Sequence, residues 1–199
     1  MAPAEARKKA VKKASKMTKP MAQLGCVPSE ELKTANGEIL KLSESWGTNL
    51  DELRTKWVFQ LFHDNMFEMY KMSQWGYDAE SKKNELFSTT SRFIIVETEA
   101  AGPIGFVHYR FVLDHDIPAV YCFELQVAET HQQNGIGSIL VKILEDMGKK
   151  AGMMKVLATV FAYNAKSLGF FHKNGYTDDE TCPNEEQGLD YLILGKKID

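Results

Sequence analysis

The sequence is poor in cysteine, and it lacks the spacings that bind metals or build disulfide frameworks. Its three cysteines, Cys26, Cys122 and Cys182, are far apart and do not form a C-x-x-C pair. We therefore expect neither a zinc site nor a disulfide-stabilised fold, and we expect a reducing, intracellular compartment. The five histidines are scattered as well, so each is interpreted as a surface or packing residue, and no metal is expected.

Long apolar runs are also missing. No stretch approaches the roughly 18–20 apolar residues that a membrane-spanning helix needs, and no apolar segment typical of a secretory signal lies near the N-terminus. The sequence therefore predicts no membrane partner. With 199 residues, 44% of them hydrophobic and 26% charged, the chain suits one α/β domain with a complete core.

Positive charge is concentrated at the N-terminus. Residues 1–20 carry seven basic side chains against Glu5 alone, whereas the remaining residues carry 17 basic and 26 acidic side chains. A basic, alanine-rich segment is expected to bury nothing and to be mobile, so we predict an arm at 1–20 and one domain at 21–199. The arm is interpreted as a nuclear-import signal, a contact for nucleic acid or the ribosome, or a solubilising tail. The acidic domain favours a basic substrate.

Periodicity predicts strands and helices that alternate after an N-terminal helix. Thr48 or Asn49 is predicted to cap a long helix that runs to about Met72 along an apolar stripe. The segment 20–42 is interpreted as irregular structure, or as a short helix followed by an extended segment. Apolar runs predict strands at 92–98, 104–113, 120–127, 155–161 and 191–194, with turns at 101–103 and 114–118. The predicted order of elements is therefore β-β-β-α-β-α-β after an N-terminal helix.

The most informative stretch combines a strand, a short polar loop and an amphipathic helix. The strand at 120–127 is followed by the loop QQNGIG at 132–137, and apolar residues then recur at helical spacing. Glycines allow close backbone approach, and a helix N-terminus carries partial positive charge, so this arrangement can aim N–H groups at a phosphate. It is neither the dinucleotide fingerprint G-x-G-x-x-G nor a P-loop. A tight turn into a helix would also explain the pattern.

A second segment completes a recognisable pair. The strand at 155–161 is followed by Asn164, a short helix, the aromatic pair Phe170-Phe171, and Gly175-Tyr176. The two segments, in this order and at this distance, resemble the motifs of the GCN5-related N-acetyltransferase (GNAT) family. The resemblance implies the GNAT fold, an α/β architecture of the α+β type with a central mixed sheet, flanking helices and a long N-terminal helix. It also implies acetyl-CoA as co-substrate, without a metal.

Within that family the chain is most similar to the NatD class of N-terminal acetyltransferases. The similarity is carried by the segments NMFEMY (65–70), SQWGY (73–77) and YCFELQ (121–126), together with 159–161 and Tyr191. It implies acetylation of the α-amine of histone-4 and histone-2A tails beginning Ser-Gly-Arg-Gly, in nucleus and cytoplasm, without an auxiliary subunit. Two alternatives stay open: a GNAT enzyme that acetylates a lysine or a small amine, and a module that binds histone tails without turnover.

The resemblance also implies roles for individual residues. Glu124 is the candidate general base, and its alternative role is a structural carboxylate that holds the shape of the slot. The peptide slot is expected to be lined by Tyr70, Trp75, Tyr121, Phe123, Thr159 and Tyr191. Acetyl-CoA is expected to bind to the backbone of Leu125, Gln126, Val127, Gln133, Asn134, Gly135, Ile136, Gly137 and Ser138, with Asn164 alongside. Core packing is the alternative for Tyr70 and Tyr191.

Three features depart from the family pattern. The basic residues of the pyrophosphate loop are replaced by Gln-Gln-Asn at 132–134, so less charge would meet the phosphates. A tyrosine of the slot is replaced by Phe123. An acidic residue that faces the substrate falls on Val112, so another carboxylate is expected to contact the substrate arginine. The candidates for this contact are Asp114 and Asp116, followed by Asp190.

Overall fold

The computed structural model describes residues 4–198, which form a seven-stranded sheet with helices on both faces. The helices are α1 (Ala4–Ala14), α2 (Pro20–Gln23), α3 (Glu52–Met72), α4 (Ala79–Leu86), α5 (Ile136–Ala151) and α6 (Ala165–Lys173). The strands are β1 (Lys41–Trp46), β2 (Arg92–Thr98), β3 (Gly102–Asp114), β4 (Ile117–Val127), β5 (Lys155–Phe161), β6 (Thr177–Asp178) and β7 (Tyr191–Lys197). Residues 1–3 of the predicted arm and residue 199 of the predicted domain lie outside the described residues, and the division at residue 20 stays a prediction.

The sheet has the order β1-β2-β3-β4-β5-β7-β6, and neighbouring strands are antiparallel except for β4 and β5. The predicted mixed sheet flanked by helices is confirmed. Sequence patterns do not predict β1, β6 and α4. The reason is physical: β1 is a partly exposed edge strand with the sequence KLSESW, β6 has two residues, and α4 lacks an apolar stripe.

Each face of the sheet carries its own core. Along β2, Ile94 lies in the core that α5 covers, whereas its neighbour Ile95 lies in the core that α3 covers, as the two-residue period of a strand requires. Leu140 and Leu144 of α5 are fully buried, and their four-residue spacing gives the helix one apolar side. The cores therefore fix α5 and α3 on opposite faces of the same strands.

The strands β4 and β5 diverge part-way along their length. They are paired only through Ala119–Cys122 of β4 and Lys155–Ala158 of β5. Beyond that point β4 stays paired with β3, and β5 stays paired with β7, so a V-shaped opening forms between them. The backbone groups on the two edges of this opening are not used by a β4–β5 ladder and are therefore available to a ligand.

A β-bulge at Phe123 determines which residues of β4 face the two cores. The register against β3 shifts there by one residue, and Phe123 is the extra residue. Before the bulge, Cys122 packs in the core beneath α5; after it, Leu125 and Val127 do. The bulge therefore turns Glu124 toward the opposite face, where α3 and α4 lie.

The predicted caps of α3 are wrong. The side chain of Asp51 accepts a hydrogen bond from the N–H of Arg54 at 2.7 Å, and the helix begins directly after it. Thr48 and Asn49 lie in a short 3-10 turn instead. Several residues of this loop have side chains that can cap a helix, and tertiary packing of the loop decides between them. The predicted end at Met72 is confirmed.

The basic N-terminal segment packs against the domain. Ala10, Val11 and Ala14 form a small apolar stripe on α1 that joins the core beneath α5. Ala14 is fully buried, and Arg7, which is 8% exposed, donates from Nη1 to the carbonyl oxygen of Asp116 at 3.1 Å. The expectation that this segment buries nothing is therefore wrong. Small residues at three- and four-residue spacing make an apolar side even in a very polar helix.

The docking of α1 can be tested with one buried and one exposed alanine. Ala14→Asp places a carboxylate in the core, and we expect it to lower the free energy of unfolding by about 3 kcal/mol or more. Ala6→Asp places the same group on the exposed side of α1 and should change this free energy by less than about 0.5 kcal/mol. Urea denaturation measures both values, and equal stabilities would show that α1 is not docked in solution.

Candidate active site

The opening between β4 and β5 is a cleft with walls from both strands, from α3 and α6, and from the loop after α3. It brings together seven of the predicted site residues, which are Trp75, Phe123, Glu124, Leu125, Gln126, Thr159 and Asn164. Met66 and Phe161, which sequence patterns do not distinguish from core residues, complete its apolar lining. Residues far apart in the sequence therefore meet where the two strands separate.

The predicted cofactor-binding residues form one continuous path beside the cleft. The path runs from the end of β4 (Leu125, Gln126, Val127) through the loop (Gln133, Asn134, Gly135) to the first turn of α5 (Ile136, Gly137, Ser138). Asn164 lies across the cleft, where its Oδ1 accepts from the N–H of Ser167 at 3.1 Å and caps α6. The amide of Asn164 thereby fixes the start of α6.

The loop before α5 has the backbone geometry of an anion-binding turn. Gly135 has a φ of 84° directly before α5, and no side chain caps the helix. The first N–H groups of α5 are therefore available to an anion. Gly137 packs so closely against Phe170 that a Cβ at position 137 would lie 2.9 Å from that ring. The N–H of Ala35 donates to the carbonyl oxygen of Asn134 at 3.2 Å and holds the loop from outside.

Glu124 is 6% exposed and is held at both carboxylate oxygens. Its Oε1 forms an ion pair with Nζ of Lys82 at 2.5 Å, and its Oε2 accepts from Nε2 of Gln126 at 2.7 Å. Gln126 in turn accepts from Nδ2 of Asn65, on α3, at 2.9 Å. Since charge-assisted hydrogen bonds are short and directional, these partners fix the orientation of the carboxylate.

Lys82, on α4, is the site residue that sequence patterns miss. Its side chain is 7% exposed, and Nζ contacts the carboxylates of Glu124 and Glu85 and donates to the hydroxyl of Tyr70 at 2.9 Å. Burial lowers the pKa of Lys82, but its three partners together raise it by more, so the net pKa is raised and the side chain is a cation. No spacing signal points to it, because a lysine in a polar helix is usually solvated.

The hydroxyl of Tyr70 is held as a neutral phenol. Burial, followed by the charge of Glu124, raises the pKa of Tyr70 well above its usual value, although Lys82 lowers it in part. Lys82 donates to this oxygen, so the phenolic proton is left for a different acceptor. Tyr70 therefore keeps a proton that it can donate across the physiological pH range.

Four aromatic rings pack together as a wall, and two of them, Trp75 and Phe161, line one side of the cleft. The ring centroid of Phe161 lies 5.2 Å from those of both Tyr70 and Trp75, and the centroids of Trp75 and Tyr191 are 5.0 Å apart. Three of these residues are predicted slot residues, and the structure brings them together around Phe161. Trp75 is 52% exposed, so this wall is open to solvent at its outer end.

The other predicted slot residues lie where β4 and β5 begin to diverge. The hydroxyl oxygens of Tyr121 and Thr159 are hydrogen-bonded at 2.5 Å across the two strands. Burial raises the pKa of Tyr121, although this hydrogen bond lowers it in part. The ring of Phe123 lies 5.0 Å from that of Tyr121, and the guanidinium of Arg110 lies 4.4 Å from the Phe123 ring. The bulge residue is therefore packed between a tyrosine and a cation.

Asp114 and Asp116 are the first candidates for the contact with the substrate arginine. The structure places both of them far from Glu124. Both belong to the hairpin of β3 and β4, at the opposite end of β4. A strand covers about 23 Å between Ile117 and Glu124. Asp114 is already ion-paired with Lys155 at 3.0 Å, and Asp116 lies in the tight turn with a φ of 64°.

Asp190 is the predicted acidic residue that lies next to the aromatic wall. Its Oδ2 accepts from the N–H of Gln74 at 2.7 Å, and Tyr191 follows it directly. The side-chain amide of Gln74 also donates to the carbonyl oxygen of Gly188 at 2.8 Å. The loop after α3 and the segment before β7 are therefore joined at the border of the cleft.

Among residues 4–198, no group of three or more His, Cys, Asp or Glu side chains is placed to hold a metal ion. Within the same range, no helix has the length and apolar character needed to cross a membrane. The three cysteines are free thiols, and Cys122 is buried where β4 meets β5.

Comparison with known proteins agrees with this geometry. Residues 51–176 match the acetyltransferase (GNAT) family, and this range includes α3, the cleft strands and the loop before α5. The chain belongs to the GNAT family. It is therefore an acetyltransferase by family, and the GNAT fold binds acetyl-CoA. The predicted GNAT fold is confirmed.

Solved structures share this fold at low sequence identity. NAA60 of Arabidopsis thaliana, in complex with a bisubstrate analogue, has a TM-score of 0.58 and 16% identity over 80% of this chain and 99% of that chain. The PaiA N-acetyltransferase of Thermoplasma acidophilum, in complex with coenzyme A, has a TM-score of 0.54 and 16% identity over 79% and 99%. Ard1 of Thermoplasma volcanium has a TM-score of 0.56 and 13% identity over 80% and 98%. At these identities the likeness shows the fold alone.

The ion pair of Lys82 and Glu124 can be measured with a double-mutant cycle. Lys82→Met should lower the free energy of unfolding by about 3 kcal/mol or more at neutral pH, because it leaves Glu124 buried without its cation. Lys83→Met, at the exposed neighbour, should cost less than about 0.5 kcal/mol. Adding Glu124→Gln to Lys82→Met should return part of the loss, and strictly additive effects in urea denaturation would contradict the ion pair.

The same pair sets a pH dependence. The pKa of Lys82 is raised in the folded state, so its stabilising contribution is complete below about pH 10.5 and is lost only as the pH rises above that value. The stability difference between the parent chain and Lys82→Met should therefore shrink in strong alkali, as measured by urea denaturation at several pH values.

Proposed function

We propose that this chain transfers the acetyl group of acetyl-CoA to the N-terminal α-amine of protein tails, with histone-4 and histone-2A tails beginning Ser-Gly-Arg-Gly as substrates. The observation that carries the proposal is one buried, oriented carboxylate, Glu124, in a cleft with a wall of aromatic rings. A carboxylate attracts an ammonium group, and aromatic faces pack against the first residues of a peptide. The acidic balance of the chain beyond residue 20 supports a basic tail as substrate.

The border of the cleft supports an α-amine as acceptor. Hydrogen bonds from Gln74 to Asp190 and to Gly188 join the loop after α3 to the segment before β7, and Trp75 contacts Tyr191 beside them. A cleft whose border is joined in this way suits the end of a chain. It suits an internal lysine less well, because such a lysine is flanked by chain in both directions.

An α-amine also needs little activation. Its pKa is near 8, so roughly a tenth of it is unprotonated at neutral pH, whereas a lysine with a pKa of about 10.4 is unprotonated to well under a thousandth. Removing the proton of the α-amine at neutral pH therefore costs about one pKa unit, or roughly 1.4 kcal/mol, and the base has to offset only this cost. A carboxylate meets this requirement when it lies within hydrogen-bonding reach of the amine, directly or through one water molecule.

We propose that Glu124 accepts the proton of the amine and that Lys82 is the positioning residue for Glu124. Lys82 and Gln126 each engage one carboxylate oxygen, and each oxygen keeps a second lone pair for the amine or for a water molecule. Tyr70, held as a neutral phenol, supplies a hydrogen-bond donor near the same group. The alternative, that Glu124 only shapes the slot, predicts no effect of its charge on rate.

The residues beside the cleft fit acetyl-CoA, which supplies a thioester with a good leaving group when bound. The uncapped N–H groups at the start of α5 suit its pyrophosphate, and the free edge of β4 at 125–127 suits its amide-containing arm. No lysine or arginine lies between residues 129 and 138. Within this loop the pyrophosphate would therefore be bound by backbone N–H groups and the helix dipole, and this contact should depend only weakly on salt.

Acetylation of two matched peptides by the chain alone tests the proposal. One peptide begins Ser-Gly-Arg-Gly and contains a lysine further on, and the other is the same peptide with a formylated α-amine. Mass spectrometry with fragmentation should find one acetyl group on the first peptide, at the α-amine, and none on the second. Acetylated lysine in the blocked peptide would favour the lysine alternative, and binding without product would favour the non-catalytic module.

Substitution of Gly137 tests the assignment of the cofactor loop. Gly137→Ala places a Cβ 2.9 Å from the ring of Phe170, so the ring or the start of α5 must move. We expect acetyl-CoA affinity to fall by about tenfold or more, which is about 1.4 kcal/mol. Gly169→Ala, where a Cβ meets nothing within 4 Å, is the control and should bind normally. Parent-like affinity of Gly137→Ala in calorimetry would place the pyrophosphate elsewhere.

The charge of Glu124 is tested by Glu124→Gln. We expect kcat at neutral pH to fall by about 10- to 1000-fold, the range for losing a general base. Part of the loss should return at about pH 9, because the substrate amine then loses its proton without help. Glu99→Gln, in the exposed turn before β3, removes a carboxylate far from the cleft and should leave kcat unchanged. An unchanged rate in Glu124→Gln would leave Glu124 with a structural role only.

A further inference from the structure

A row of lysines covers the outer side of α1 and the turn after it. The six exposed lysines are Lys8, Lys9, Lys12, Lys13, Lys16 and Lys19. Within residues 4–198, none of them has a carboxylate within 4 Å, in contrast to the paired lysines of α3 and α4. Lys8 and Lys12, and likewise Lys9 and Lys13, are four residues apart, and like charges at this spacing destabilise a helix. The domain holds this helix in place in spite of that repulsion.

Specific contacts fix the lysines relative to the domain. Ala14 is fully buried, and Nη2 of Arg92 donates to the carbonyl oxygen of Ser15 at 2.8 Å. The carboxylate of Glu44 accepts from the N–H of Met21 at 2.9 Å and holds the short helix that follows. The lysines are therefore presented on a supported helix, so that little conformational entropy is lost when a partner binds them.

The positive surface continues onto a second helix. A Cβ on Gly152, the residue after α5, would lie 3.8 Å from Cβ of Ala10, so α1 packs on the end of α5. Lys149 and Lys150 are exposed in the last turn of α5. We call these two lysines and the six lysines of the N-terminal segment the basic ridge.

We propose that the basic ridge binds the phosphate backbone of a nucleic-acid duplex. Duplex DNA carries one negative charge for about every 1.7 Å of its axis, and binding of several lysines to it releases condensed counterions. Lysine donates to phosphate as a point charge and does not read base edges in the bidentate way of arginine. The one arginine of α1, Arg7, is buried in a contact with the domain, so binding is expected to be independent of sequence.

The apolar side of α1 distinguishes this partner from an anionic membrane. A helix that lies on a membrane inserts an apolar face beside its basic face. The only apolar stripe of α1, formed by Ala10, Val11 and Ala14, is already packed into the core beneath α5. The basic ridge therefore offers charge alone, which a nucleic-acid backbone satisfies.

The position of the basic ridge leaves the cleft accessible. Lys149 and Lys150 of the ridge lie at the C-terminal end of α5, and the loop of Gly135 lies at its N-terminal end, about 24 Å away for a helix of 16 residues. Glu124 faces α3 and α4, on the other face of the sheet. A duplex on the ridge would therefore raise the effective concentration of a protein tail carried by the same nucleic-acid particle. This consequence, unlike the binding itself, rests on the proposed function.

Fluorescence anisotropy with a labelled DNA duplex of arbitrary sequence tests the binding. The test variant changes Lys8, Lys9, Lys12 and Lys13 to Gln. The control changes Lys33, Lys56, Lys83 and Lys142 to Gln, which removes the same charge from lysines that each have a carboxylate partner. At about 50 mM salt the test variant should bind at least about tenfold more weakly than the parent chain, with a shallower salt dependence, because each lost phosphate contact lowers the slope by about 0.9. The control should change affinity by less than about threefold.

Three results would overturn the proposal. The first is that the parent chain fails to bind the duplex at low salt. The second is that the test variant and the control weaken binding equally, which would mean that net charge alone determines the affinity. The third result is that the chain binds vesicles containing phosphatidylserine in preference to the duplex, which would make the partner a membrane.

A tethered substrate tests the consequence for activity. A Ser-Gly-Arg-Gly peptide joined to the end of a duplex should have a lower KM than the free peptide with the parent chain, and this advantage should disappear in the test variant. The kcat/KM for the free peptide should be the same in both proteins. An equal KM for tethered and free peptide in the parent chain would show that the basic ridge does not raise the effective concentration of the tail. Absence of product from the free peptide would instead contradict the proposed function. It would not affect the anisotropy result, which measures binding of the duplex alone.

Discussion

Separation of β4 from β5 after a short parallel ladder is the constraint on which the rest of the site depends. A fully paired ladder would leave no room between these strands, and the cleft would not exist. The opening leaves backbone groups on the facing edges of β4 and β5 without a β-ladder partner. The other edge of β4 stays paired with β3, and the other edge of β5 stays paired with β7. The bulge at Phe123 adds a second effect, because it turns Glu124 toward α3 and α4 at the point where the strands part.

The side chain that holds Glu124 comes from a short, polar helix. Asp78 caps α4 through the N–H groups of Glu80 and Ser81, and Leu86 is fully buried at the other end of the helix. Buried ion pairs often give little net stability, because both charges lose their hydration. The pair of Lys82 and Glu124 is therefore better explained by the geometry that it imposes on the carboxylate than by the stability that it adds.

Local patterns in the sequence predict much of this structure. The loop with Gly135 and Gly137 before α5, and Asn164 before α6, follow from residue types at fixed spacing next to apolar strands. The family resemblance extends this to a central mixed sheet with flanking helices and to the rings of Trp75 and Tyr191, which meet beside the cleft.

Other features depend on tertiary contacts that no local pattern encodes. Lys82 is one of many charged residues in a polar helix until the fold places it against Glu124. Asp114 is a carboxylate near a turn, and only the register of β3 and β4 shows that it lies far from Glu124 and is paired with Lys155. The helix α1 has the composition of a disordered arm, and only its packing against α5 shows its small apolar side.

The most direct test of an α-amine acetyltransferase is the affinity of two conjugates in which coenzyme A is joined to a Ser-Gly-Arg-Gly peptide. In one conjugate the link is at the α-amine, and in the other it is at the side chain of a lysine further along the peptide. Calorimetry should show that the α-amine conjugate binds about 100-fold or more tightly than coenzyme A alone, since it joins both ligands in the geometry of the reaction. The lysine conjugate should bind like coenzyme A. Tighter binding of the lysine conjugate, or equal binding of both, would contradict an α-amine acceptor in this cleft.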